Sequence, residues 1–219
     1  MNNPLILLSP SKGMSRNREV ASKVTGLCAF PEITAKVVTS IQGLKPEAAK
    51  KLFKVSDALW TEVAAMWGND LKSYTNPKAG LRGLMAYTGE AFKFLNTAEL
   101  SPEGNLNAQQ SLYILSALYG VVSANMHIAP YRLEMQSRLE VTPHRNLYSL
   151  WRPVLTQWVN ALDAPFVIDA CSGEYSKAID WKNIERPYVH VDFKQLKNDQ
   201  IKSVSAFSKQ ARGAFVRWC

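Results

Sequence analysis

Three stretches of this chain set hydroxyls, small residues and a cation directly after an apolar run. Ser9-Pro10-Ser11-Lys12-Gly13 follows Leu5–Leu8, and Ser172-Gly173-Glu174-Tyr175-Ser176-Lys177 follows the run ending at Ala170. Ser205-Ala206-Phe207-Ser208-Lys209-Gln210-Ala211-Arg212-Gly213 follows a third strand-like segment. In mixed folds ligands collect at strand ends, where backbone amides and hydroxyls hold phosphate oxygens. Each stretch alone also reads as a solvated turn. Three of one character point to a shared basic cleft in which Ser9, Lys12, Ser172, Lys177, Lys209 and Arg212 bind an anion. None has the spacing of a Walker loop.

A fourth stretch, Ala129-Pro130-Tyr131-Arg132-Leu133-Glu134-Met135, adds a phenol, a guanidinium and a carboxylate. Arg132 and Glu134 are two apart and share a face if the segment is extended. An arginine fork suits a carboxylate or a phosphate; equally, the pair could form salt bridges that only pin a loop. Glu134 and Glu174 could serve as general acid and base if the fold brings them together. Cys171 ends a buried run with no positioned histidine, which reads as core and not as a nucleophile. The tryptophans, Trp60, Trp67, Trp151 and Trp158 among them, follow helical spacing and read as packing.

Bulk properties narrow the classes. The chain has 219 residues, 47% of them hydrophobic and 20% charged, enough for a sizeable core. No apolar run approaches the ~20 residues of a membrane helix, and no signal core precedes the first strand, so an unexported, cytoplasmic protein is expected. Three cysteines and three histidines lie scattered without CxxC spacing. They suggest no metal site, cofactor or disulfide framework. Twenty-six Lys and Arg against 18 Asp and Glu give a net charge of +8, which suggests a polyanionic partner.

Leu5–Leu8 reads as a strand buried on both faces, ended by Pro10. The polar segment with Arg16, Arg18 and Lys23 reads as surface. Pro46 and Glu47 open a helix that carries Leu52, Val55, Leu59, Val63 and Met66 at helical spacing, with a restart at Ser56-Asp57. Residues 78–96 read as an extended stretch leading to a short helix. Asn107 to Gly120 reads as one helix, capped at both ends. Pro153 sets the start of the next helix near Arg152. Phe166–Ala170 is a strand that turns at Ser172-Gly173 into a helix. Residues 186–193 and 199–208 read as strands, and 209–219 as a basic helix. The mixture predicts one α+β domain.

At these segments the chain resembles the YaaA family of bacterial peroxide-stress proteins. LILLSPSKGM is similar to the family's strand followed by Ser-Pro-Ala-Lys, KVSDALW to its Ser-Asp helix, and AYTGEAF to its Phe-x-Gly-Asp-x-Tyr segment. ILSALYGVVSANMHIAPYRLEM resembles its Leu-Ser-Gly-Leu-Tyr-Gly stretch leading to Pro-Tyr-Arg-Leu-Glu-Met. LYSLW, ACSGEYSKAI and SAFSKQARG match the remaining blocks in order.

The resemblance implies an α+β domain with a helix-hairpin-helix-like element and a basic cleft. It also implies double-stranded DNA binding and protection from hydrogen peroxide and free iron. The hairpin would be Leu118-Tyr119-Gly120-Val121, with Tyr119 and Gly120 at its tip, gripping phosphates without reading bases. Ala117 replaces a family glycine, and Ser123-Ala124-Asn125 replaces an arginine-proline. Gly173 stands where an aspartate is usual and Gln210 where a second lysine is. The chain ends at Cys219, short of the family's carboxy-terminal segment.

Two functions follow as expectations. One is sequence-independent nucleic-acid binding through the cleft and hairpin. The other is an enzyme acting on a nucleoside, a nucleotide or another phosphorylated small molecule by glycosidic cleavage or transfer. In the second, Lys12, Lys209 and Arg212 hold the anion, Arg132 orients it, and Glu134 or Glu174 moves protons. A plainer alternative makes the same residues a structural polar core.

Overall fold

Four consecutive apolar residues form β1 (Leu5–Leu8), and all four are buried. The computed structural model describes residues 3–15, 19–20, 26–75, 79–197, 200–202 and 204–219. Arg16, Arg18 and Lys23, expected at the surface, lie outside the described residues.

After β2 (Glu19–Val20) comes α1 (Pro31–Gln42), which buries Thr34, Val37, Val38 and Ile41 along one stripe. The sequence reading passed over this helix. Pro46 opens α2 (Pro46–Phe53), and Lys54 ends it in a left-handed conformation with φ of 50°. Ser56 then leads into α3 (Asp57–Met66), so the restart expected at Ser56-Asp57 is observed. The short α4 (Lys72–Thr75), β3 (Ala79–Arg82) and α5 (Glu90–Leu95) follow.

The helix expected over 107–120 is corrected. Ser101 caps α6 (Pro102–Ser111) by accepting the Gly104 N–H at 3.0 Å. At Leu112 the chain becomes β4 (Leu112–Ser116), because its apolar run is covered on both faces and pairs with β1. A tight turn joins it to β5 (Gly120–Ser123), with Ser116 opposite Gly120. Residues 118–121 therefore lie in the strand–strand turn and the start of β5, and no helix-hairpin-helix is formed there. Leu118 and Tyr119 are buried, and their amides donate to Ser116 Oγ at 3.2 and 3.0 Å instead of facing outward. Gly120 has φ of +71°, and a Cβ there would lie 2.5 Å from the Trp151 ring.

Beyond β6 (His127–Ile128) lies α7 (Leu147–Ala161), which starts five residues before Arg152. Asn146 and Ser149 form a capping box, and burial of Leu147, Leu150 and Trp151 holds the first turns, so Pro153 is accommodated inside the helix. The chain continues through β7 (Val167–Ala170), the single turn α8 (Gly173–Ser176) and β8 (Tyr188–His190). The hairpin strands β9 (Gln195–Lys197) and β10 (Gln200–Lys202) precede α9 (Ser205–Trp218). The final helix thus begins four residues earlier than expected.

The architecture is α+β. Its main sheet has the order β5-β4-β1-β7-β8, with β4, β1, β7 and β8 parallel and β5 antiparallel at one edge. A second sheet has the order β2-β3-β6. Central β1 sends the chain to β4 on one side, whereas neighbouring β7 sends it to β8 on the other. The strand order therefore reverses between β1 and β7, and a crevice opens outside their carboxyl ends. Leu8 is paired with Ala170, so both strands end level. Among the described residues no helix is long and apolar enough to cross a membrane.

Candidate functional site

The crevice at the reversal between β1 and β7 is a cleft of about 400 Å³. Its floor is the meeting of the two strand-ending loops. Ser9 Oγ accepts the Ser172 N–H at 2.8 Å and donates to Ser172 Oγ at 3.2 Å. Ser11 ties the first loop to the start of α5: its Oγ accepts the Gly89 N–H at 3.0 Å and donates to the Gly13 carbonyl at 2.6 Å. Lys12 then reaches across to Glu134, with Nζ 2.6 Å from Oε1.

One wall is the extended segment after Pro130. Tyr131, Leu133 and Met135 are buried while Arg132 and Glu134 are half-buried and line the cleft. The shared face expected of Arg132 and Glu134 is therefore present. The Tyr131 hydroxyl is already engaged, 2.7 Å from Ser116 Oγ and 3.0 Å from the Tyr87 hydroxyl. That phenol belongs to the buried hydroxyl chain beneath the cleft. Burial raises the pKa of Tyr131, and that of Tyr87 more strongly.

The opposite wall is α9, seated tightly on α5. A Cβ on Gly213 would lie 1.9 Å from the Ala91 carbonyl oxygen, so the helices approach at backbone contact. That contact brings Lys209 and Arg212 over the cleft. Arg212 is only 8% exposed, and its guanidinium stands 5.8 Å above the Phe193 ring. Its Nε is buried without a hydrogen-bond partner. Burial lowers the Arg212 pKa from its usual value, opposed by Cys171, Asp192 and Asp169.

The cleft is mixed in charge and not uniformly basic. Lys12 pairs with Glu134, and Lys93 with Glu90 at 2.7 Å. Among the described residues Arg132, Lys209 and Arg212 have no ion-pair partner, which leaves three cations for an incoming anion. Glu174, on α8, lines the same space and accepts the Gln136 N–H at 3.2 Å. Burial pushes its carboxyl above the usual range; the Glu134 charge adds to this and the Gln136 N–H opposes it.

Ser9, Lys12, Tyr131, Arg132, Glu134, Ser172, Glu174, Lys209 and Arg212 thus meet at one cleft. Lys177 does not join them. It lies past the single turn of α8 with an exposed side chain, and its carbonyl accepts the Arg152 guanidinium at 2.9 and 3.0 Å. Tyr119 and Gly120 sit in the core, where the Tyr119 hydroxyl accepts the Ala129 N–H at 3.0 Å.

Sequence reasoning missed Asp169 and His190. Asp169, 2% exposed in β7, accepts the Cys171 N–H at 3.0 Å and Ser176 Oγ at 2.6 Å, and lies 2.7 Å from His190 Nδ1. This one carboxylate holds the turn after β7 and the end of α8, the elements that carry Ser172 and Glu174. An aspartate inside the apolar run Phe166–Cys171 was the signal available. Among the described residues no three His, Cys, Asp or Glu side chains group as a metal site.

The model of the peroxide stress protein YaaA family matches residues 5–219. The chain belongs to the YaaA family. A UPF0246 protein of Shewanella pealeana is 33% identical over 218 residues, 98% of this chain and 84% of that protein. A UPF0246 protein of Limosilactobacillus fermentum is 34% identical over 215 residues, 97% of this chain and 84% of that protein. One from Flavobacterium psychrophilum is 28% identical over 218 residues, 97% of this chain and 85% of that protein. The segments that carry the YaaA resemblance include Ser9–Lys12, Pro130–Met135, Ser172–Glu174 and Lys209–Arg212, and all four border the cleft.

Proposed function

We propose that this YaaA-family protein binds a phosphorylated small molecule in the cleft between β1 and β7. The Arg212 guanidinium carries the reading: it lines the cleft, is 8% exposed and has no ion-pair partner among the described residues. A buried charge without a partner is costly. A phosphate in the cleft would supply the missing counter-charge. Arg132 and Lys209 supply the remaining charge, and the Ser9 and Ser172 hydroxyls supply further polar groups.

The carboxylates extend the reading to an enzyme that cleaves or transfers at a glycosidic bond. Protonated Glu174 gives its proton to the departing atom as the bond from the sugar carbon to that atom breaks. Glu134 takes a proton from the water or hydroxyl whose oxygen forms the new bond to carbon. Calorimetric titration with AMP tests the binding step. Arg212→Gln is expected to weaken binding at least tenfold with an unchanged melting temperature; equal affinity rejects the assignment.

The net charge of +8 favours a second reading, sequence-independent binding of double-stranded DNA. The hairpin amides are already used within the fold, so the duplex would rest on exposed cations at the cleft mouth and on Lys177. A polarisation titration with a short duplex is expected to show affinity falling steeply from low to moderate salt. No binding at low salt removes this reading.

A further inference from the structure

We propose that the part of the ligand held beside its phosphate is a sugar ring, recognised through its hydroxyls, and that the cleft has no seat for a nucleobase as the group across its glycosidic bond; this rests on the phosphate reading above. Three carboxylates, Glu90, Glu134 and Glu174, line a cleft whose free cations are suited to a phosphate. Toward that phosphate a carboxylate is repulsive; Glu90 is engaged by Lys93 and Gln210, whereas Glu134 and Glu174 keep acceptor sites beyond their contacts with Lys12 and the Gln136 N–H. Toward neighbouring hydroxyls a carboxylate is a strong acceptor with two oxygens and about four lone-pair sites. The Thr88 hydroxyl lies on the same lining and both donates and accepts.

A nucleobase needs a flat face as well as acceptors, and stacking on an aromatic ring contributes about 1–3 kcal/mol per base. No tryptophan, phenylalanine or histidine side chain among the described residues lines this cleft. Its two tyrosines, Tyr131 and Tyr175, are 4% and 6% exposed, so neither offers an open ring. The volume of about 400 Å³ lies near the lower end of the ~300–1,000 Å³ of small-ligand sites, which suits one sugar phosphate. Burial raises the Glu174 pKa, and in its protonated form this carboxyl donates to a hydroxyl as well as accepts.

Calorimetry with five probes tests the inference: inorganic phosphate, ribose 5-phosphate, glucose 6-phosphate, AMP and adenosine. At least one sugar phosphate is expected to bind tenfold or more tightly than phosphate. AMP is expected to bind no more tightly than ribose 5-phosphate, and adenosine not at all. Glu174→Gln should shrink the ratio of sugar phosphate to phosphate affinity. Phosphate binding with no gain from either sugar overturns the sugar assignment alone. So does AMP binding tenfold more tightly than ribose 5-phosphate, or binding of adenosine. No binding by any probe overturns the phosphate reading and this inference together.

Discussion

His190 and Asp169 stand opposite each other on the parallel strands β8 and β7, with Nδ1 2.7 Å from Oδ2. The same side chain serves the Cys171 N–H and the Ser176 hydroxyl, so one buried carboxyl group fastens three elements behind the cleft. Asp169→Ala leaves those donors unsatisfied. A loss of about 2–4 kcal/mol of stability is expected in urea unfolding. Asp169→Asn, which keeps one acceptor, should lose less. An alanine variant as stable as the parent would show that the carboxylate does not organise this region.

The contact of Gly213 with the Ala91 carbonyl sets the position of Arg212. An alanine at 213 must push α9 off α5, since its methyl would fall 1.9 Å from that oxygen. Overpacking of this kind costs about 1–3 kcal/mol. Both the melting temperature and the affinity for phosphate should drop in Gly213→Ala. Retained affinity would detach the anion site from the helix crossing.

Glu174 gives a pH signature. Its folded-state pKa is raised, chiefly by burial, so the folded protein binds this proton more tightly than the unfolded chain. The stability it contributes is full below the unfolded carboxyl pKa of about 4.3 and is lost as pH rises through the folded value. Glu174→Gln removes that loss and keeps an acceptor for the Gln136 N–H. The variant should melt above the parent at neutral pH, with the gap closing toward pH ~4. A gap constant with pH would contradict the raised pKa.

Cys171 should be inert despite the family's link to peroxide. Burial foremost, then the Asp169 charge, raises its thiol well above the usual range, and the thiolate is the reactive form. Mass spectrometry after mild hydrogen peroxide is expected to find Cys171 unmodified in the folded protein and oxidised only in denaturant. Rapid oxidation of the native protein would make it a sensor.

Strands and helices with a strong local signal were readable from the chain. Leu5–Leu8 had nowhere to go but a sheet interior, Pro46 and Ser56-Asp57 marked real helix starts, and Ser172-Gly173 marked a real turn. The stretch from Asn107 to Gly120 was misread because apolar spacing alone cannot separate a buried helix from a buried strand. Its second half became β4 because β1 was present to pair with it. Near Pro153 a local rule lost to a capping box and to buried leucines and Trp151.

The sequence by itself determined the types of group at the cleft: hydroxyls after β1 and β7, a cation after β1, cations in the last helix, and an alternation that put Arg132 and Glu134 on one face. Those are short-range properties, fixed by residue type and by the period of the backbone. Which of them meet was decided only by tertiary structure. Strand order brought Ser9 to Ser172, the closeness of α9 to α5 carried Arg212 inward, and the single turn of α8 left Lys177 outside. Distances between segments far apart in the chain depend on packing, and no local pattern encodes them.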